Sequence, residues 1–276
     1  MLRITALMDD KLPKNPALLS EHGLSFFVEY QNLRLLFDCG MTSAAQANAQ
    51  TMGIDLHRLD GVILSHSHYD HAAGFRSLAE RDLEIPVLYT GHGFFEPKFA
   101  WKEGQLRDLS CGFDLDFLKK HRIPQQEITD AVQIHPGVWL ISGFPRVHDL
   151  ETIPERFVLK TPSGLVHDDF SDEVCMALEV EDGLAVLVGC SHPGILNMLC
   201  HIQNLLKKPI RAVFGGTHLV EADAQRIEAT IDTLQEMGLE IMGLSHCSGD
   251  AAQNAMDSRP QIQSCHLCAG DSISLP

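Results

Sequence analysis

The chain has 276 residues, 45% of them hydrophobic, which gives one large domain or two small ones enough apolar material for a full core. Its 21 lysines and arginines stand against 37 aspartates and glutamates, a formal charge of −16. The nearest thing to a basic run is Lys119, Lys120 and Arg122, so the chain repels phosphate backbones and no nucleic acid partner is expected.

No apolar stretch approaches the roughly 20 residues needed to span a bilayer, so no membrane partner is expected either. Residues 1–10 lack a basic segment followed by an apolar core, which argues against a secretory leader. The eight cysteines then read as free thiols of a reduced, cytoplasmic protein. Cys265 and Cys268 form a lone Cys-x-x-Cys without a second pair, and read as small residues near the last strand.

In chain order, Leu2–Met8 reads as a strand, and Leu24–Tyr30 and Leu33–Asp38 as a hairpin turning at Gln31-Asn32. Ser43–Met52 has helical composition and stops at Gly53. A short buried strand follows at Val62–Leu64, then a helix over Phe75–Arg81 and a strand over Pro86–Thr90. Residues 91–136 break the rhythm, with one helical stretch near Asp114–His121. They read as a loop insertion, placed either to cover an active site or to decorate the surface.

Strands resume at Val138–Ser142, Phe157–Thr161, Val174–Val180 and Ala185–Val188, the last two joined through Glu181-Asp182-Gly183. An amphipathic helix runs from Ile195 to Leu206, then come a strand at Ala212–Phe214, a helix over Ala222–Met237 and a strand at Glu240–Leu244. Hairpins early and helix–strand alternation late predict an α+β fold of two packed sheets with helices outside. No linker divides the chain, so 1–276 reads as a single domain.

The chemistry gathers in residues 62–74. Three histidines and an aspartate, His66, His68, Asp70 and His71, fall within six positions directly after a buried strand. His66 and His68 are two apart, so extended backbone points them the same way. Imidazole nitrogen and carboxylate oxygen are ligands that a borderline divalent cation prefers. Without a metal, such crowding at a sheet's mouth serves no packing purpose. Three more histidines, His192, His218 and His246, follow apolar strands and have small neighbours, so strand ends on one sheet edge bring them toward the first cluster. Asp38, at another strand end, either orients a ligand histidine or forms a turn. Among Asp168, Asp169 and Asp172, one could ligate metal, although a solvated loop is the commoner explanation.

His66-x-His68-x-Asp70-His71 resembles the signature of the metallo-β-lactamase superfamily. Glu21-His22-Gly23-Leu24-Ser25, Leu36-Phe37-Asp38-Cys39-Gly40, Gly189-Cys190-Ser191-His192-Pro193-Gly194 with Asn197, Gly215-Gly216-Thr217-His218-Leu219 and Ser245-His246-Cys247-Ser248-Gly249 are similar to its dihydropterin-aminobenzene-phosphate synthase-like branch. The resemblance covers nearly the whole chain. It implies an αββα sandwich of two mixed sheets with one or two divalent metal ions, zinc first, with iron or manganese as alternatives, acting on a small molecule. Where most of the superfamily has a histidine before the strand that ends at a bridging carboxylate, His167 lies in an acidic stretch, and the carboxylate itself reads as replaced by His192.

On this resemblance His66, His68 and His192 hold one metal. Asp70, His71 and His246 hold a second, with His246 favoured over His218 as the final ligand. Asp70 serves as general base if only one metal binds, and His22 and Arg146 face the substrate. The expected activity is metal-dependent hydrolysis of a small substrate, phosphorylated or not. A transferase joining a dihydropterin to an aminobenzene ribofuranosyl phosphate is the alternative, and a metal-binding or sensing module without catalysis is the third reading. The oligomeric state is left open.

Overall fold

A computed structural model describes residues 1–81 and 83–276. Two seven-stranded mixed sheets lie face to face. The first runs in the order Ser272–Leu275, Leu2–Met8, Ser25–Tyr30, Leu33–Phe37, Gly61–Ile63, Leu88–Gly91 and Gln125–Ile128. It is antiparallel through the hairpin and parallel from Leu33–Phe37 onward. The second runs Gln263–Cys265, Ile241–Leu244, Ile210–Gly215, Gly183–Val188, Cys175–Val180, Val138–Ile141 and Ala131–His135.

Side-chain alternation assigns each layer. Phe26 and Val28 pack inward against Leu140, Met176, Leu178 and Phe214 of the other sheet. Their neighbour Phe27 points outward with Leu36 and Val62, onto the helices Ala44–Thr51 and Gly74–Ala79. On the far side Val186 and Val213 pack against the helices Ile195–Leu206, Ala224–Glu236 and Gly249–Asp257. The architecture is an α+β sandwich with helices on both outer faces. Central strands buried on both faces read as near-continuous apolar runs, which is why Gly183–Val188 and Gly61–Ile63 stand out in the sequence.

Residues 91–136 differ from the loop expected there. Besides the helix Leu115–His121 they hold the strands Lys98–Lys102, Gln105–Asp108, Gln125–Ile128 and Ala131–His135. The first two join Phe157–Thr161 and Gly164–His167 in a separate four-stranded antiparallel sheet. Gln105–Asp108 and Gly164–His167 are exposed throughout, so neither carries the one-sided apolar pattern that marks a strand. The short strands Gln263–Cys265 and Ser272–Leu275 and the helix Gly249–Asp257 also lie beyond the expected elements. All eight cysteines are free. Among the described residues no helix is long and apolar enough to cross a membrane.

Candidate metal centre

The histidine loop is held in place by two buried carboxylates. Past Gly61–Ile63, Ser65 donates its backbone N–H to Asp38 Oδ1 at 2.7 Å and its hydroxyl to Asp38 Oδ2 at 2.8 Å. Two residues on, Ser67 N donates to Asp172 Oδ2 at 2.9 Å. The chain then turns into the short helix Tyr69–Ala72, which brings Asp70 and His71 round to the same side. Gly74 permits the exit, because a Cβ there would lie 2.1 Å from the Cys39 carbonyl oxygen.

His66, His68 and His192 converge, their ligand nitrogens within 4.8 Å of one another. Ring centroids stand 4.6 Å apart for His66 and His68, and 5.0 Å from each of these to His192. The Nε2 atoms of all three are buried and have no hydrogen-bond partner. Three orphaned nitrogens at one point are costly unless something satisfies them together. Burial, reinforced by the positive charge of neighbouring groups such as Lys98, pushes the pKa values of all three rings well below the usual histidine range. They stand neutral, the form that offers a lone pair to a cation. This donor set fits a divalent metal.

A packed aromatic and a buried ion cluster fix this trio. Phe170 stacks on His192 at 3.8 Å with 15° between planes. Lys98 Nζ lies 4.4 Å from the Phe170 centroid and bonds to Asp168 Oδ2 at 2.6 Å and Asp172 Oδ1 at 2.9 Å. Of the acidic residues entertained as ligands, Asp168 and Asp172 are therefore engaged with Lys98, while Asp169 is exposed. His167 is exposed on Gly164–His167.

His71, His246 and His22 are already satisfied. His71 Nδ1 lies 2.6 Å from Asp38 Oδ2, so Asp38 orients a histidine, and His71 Nε2 lies 3.1 Å from Cys190 Sγ. His246 has left-handed backbone at φ 48°, held by its N–H bond to Asp9 Oδ2 at 2.9 Å. Its Nδ1 is 2.6 Å from Asp10 Oδ1 and its Nε2 3.2 Å from Asp70 Oδ2. His22 spans the same two carboxylates, Nδ1 to Asp10 Oδ2 at 2.8 Å and Nε2 to Asp70 Oδ2 at 3.3 Å. Burial alone would raise the pKa of Asp70, but the His246 hydrogen bond and the charges of His71 and His246 hold it well below the usual carboxylate range. Burial opposes the charge on His246 as well, and its bonds to Asp10 and Asp70 prevail and raise it. His218, also left-handed at φ 50°, sets its ring 4.4 Å from His192.

Cys190 lies between the two groups. Its Sγ belongs with His66 and His71 and again with His246 and Cys247, each set within 4.8 Å. His192 groups with His66 and His68. Cys190, Cys247, Asp9 and Asp10 are absent from the sequence-based site. The available signal was their place in the motifs around His192 and His246, since Cys190 stands two residues before His192 and Cys247 directly follows His246. Cys268 likewise comes within 4.8 Å of Asp9 and His266 ligand atoms.

His68, Asp70, His192, His218, His246 and His22 line one cavity of about 780 Å³, together with Cys190 and Cys247. Its opposite wall comes largely from the four-stranded sheet and carries Lys102, Glu103, Arg107, Asp108 and Arg156. Arg146, expected at the substrate, stands apart from this wall and donates to the Asp169 carbonyl.

The metallo-beta-lactamase superfamily model matches residues 21–170, just over half of the chain. A curated relative from Methanocaldococcus jannaschii, a 7,8-dihydropterin-6-methyl-4-(beta-D-ribofuranosyl)-aminobenzene-5'-phosphate synthase, is 31% identical, covering 92% of this chain and 90% of its own. A solved structure described as a metal-dependent hydrolase of the beta-lactamase superfamily superposes with a TM-score of 0.84 at 26% identity, covering 100% of this chain and 99% of the other. Zinc-bound PqqB from Methylobacterium extorquens, at TM-score 0.57 and 11% identity over 99% of this chain and 100% of its own, shares the fold alone. Signature, sandwich and full-length likeness agree, and the chain belongs to the metallo-beta-lactamase superfamily.

Proposed function

We propose that the chain is a metal-dependent hydrolase of a small substrate bearing an anionic group such as phosphate. The observation that carries this reading is the trio of buried, unpartnered Nε2 atoms on His66, His68 and His192, of which His68 and His192 line a metabolite-sized cavity. His66, His68 and His192 would hold one divalent cation through those atoms. Zinc suits an all-imidazole set, and iron or manganese are the other candidates. When bound, the metal supplies a Lewis acid and brings the pKa of a water toward ~7.

The chain's own residues then orient the nucleophile and the substrate. Asp70 Oδ2 stays ionised and orients the attacking nucleophile by accepting its hydrogen bond, while His22, whose side chain is 54% exposed, links Asp70 to Asp10 at the solvent edge. Arg156 is held over the Phe157 ring, its guanidinium carbon 4.0 Å from the centroid, and pairs with Glu221. Phe157 itself packs 5.6 Å from His68 and 5.3 Å from His192. A guanidinium thus stands one aromatic ring from the histidine trio. With Arg107 and Lys102 it is placed to bind an anionic substrate group, the role expected of Arg146.

The 31% identity to a synthase over nearly the full length supports a second reading. There the same cavity joins a dihydropterin to an aminobenzene ribofuranosyl phosphate. The test is to load the protein with zinc and assay a panel of phosphodiesters, lactones and thioesters beside the pterin-coupling reaction. Hydrolysis that disappears in His66→Ala is the expected result. Coupled product without hydrolysis overturns the hydrolase in favour of the synthase. Bound metal with neither activity leaves the non-catalytic module.

A further inference from the structure

We infer that Cys190 and Cys247 are thiolate ligands of a second metal position, completed by His71 and His246. This inference rests on the reading that the cleft holds metal, and it adds two thiolates to the ligand set expected from the sequence.

The two sulfurs and His246 have ligand atoms within 4.8 Å of one another, and Cys190 shares the same spacing with His66 and His71. His71 Nε2 points at Cys190 Sγ from 3.1 Å, with its other nitrogen fixed by Asp38. The loops that carry the sulfurs are tied together. Gly216 N bonds to the Gly189 carbonyl at 2.8 Å, and Ser245 N to the Gly215 carbonyl at 3.0 Å. A Cβ on Gly216 would come within 2.5 Å of Cys247 Sγ, so glycine there leaves room for the thiol to face Cys190. Asp70 Oδ2 faces the same position, 3.2 Å from His246 Nε2 and 3.9 Å from His71 Nε2.

Thiolates favour zinc, cobalt or iron(II) over magnesium, calcium or manganese. On binding, each thiol releases its proton to solvent and donates a sulfur lone pair to the cation. Two thiolates offset the charge of a dication, so this position retains a metal firmly and is the weaker Lewis acid of the two.

The test is to strip the full-length protein with a chelator, titrate it with cobalt(II) and record its near-ultraviolet and visible spectrum. A sulfur-to-cobalt charge-transfer band is expected in the unmodified chain. It should fall by about half in Cys190→Ser or Cys247→Ser, since each removes one of two thiolates. The double variant should lose the band while keeping the visible bands of cobalt at the imidazole position. Full cobalt loading with visible bands and no sulfur band overturns this inference and leaves the histidine site standing. A sulfur band that survives the double variant and vanishes with Cys268→Ser overturns it too, by moving the sulfur to the Asp9–His266–Cys268 group. No cobalt uptake of any kind overturns both this inference and the metal reading beneath it.

Discussion

His66, His68 and His192 present Nε2 atoms that no protein group meets, whereas His71, His246 and His22 have both ring nitrogens engaged by Asp38, Cys190, Asp10 and Asp70. The two halves of one cleft thus differ in what a cation must displace. In the first half the imidazoles are desolvated, neutral and already assembled, so binding relieves an existing cost. In the second half a cation competes with a closed hydrogen-bond network and must expel its protons. On the proposed reading, the first position is accordingly the less pH-sensitive one.

The largest effect that would break this comparison comes from the trio itself. Replacing His66 and His192 together by Ala should remove the metal and lower turnover by more than the roughly 100-fold that loss of an outer partner costs. Elemental analysis beside initial rates checks it, and retained metal would show that the trio is not the principal site. Next is Lys98→Met, which leaves Asp168 and Asp172 buried without a counter-charge beneath Phe170. It should destabilise the fold by about 3–5 kcal/mol, read from denaturant unfolding.

Asp38→Asn probes the engaged half. Asparagine tolerates the left-handed backbone at φ 58°, so the substitution chiefly weakens the hold on His71. Metal affinity at the second position should fall by about 10–100-fold, with a smaller change at the first, where Asp38 acts only through Ser65. Calorimetric titration resolves the two. The smallest effect separates the arginines. Arg107→Gln should raise KM about tenfold, the worth of one charged hydrogen bond, while Arg146→Gln leaves KM unchanged.

Much of the sandwich was legible because its central strands are buried on both faces. Phe157–Thr161 and the helix Ile195–Leu206 fall at their expected bounds, and Leu2–Met8 does as well. What escaped was exposed or polar. Gln105–Asp108 and Gly164–His167 pair by backbone alone, and backbone pairing leaves no mark on side-chain pattern. The same divide runs through the site. Closely spaced histidines announce themselves, and the structure does bring His66 and His68 together with His192 from over 120 positions away. Cys190 and Cys247 look like any other small residues at a strand end until the fold sets them beside each other. Arg146 drew attention by its local motif, yet the four-stranded sheet supplies the cavity's arginine at 107 and the segment just before Phe157 supplies Arg156.

The most direct test is an anomalous difference map from crystals of the zinc-loaded chain. The account predicts a peak about 2.0–2.1 Å from the Nε2 atoms of His66, His68 and His192. A fully loaded crystal with its strongest peak elsewhere, or with none in this cleft, would contradict it.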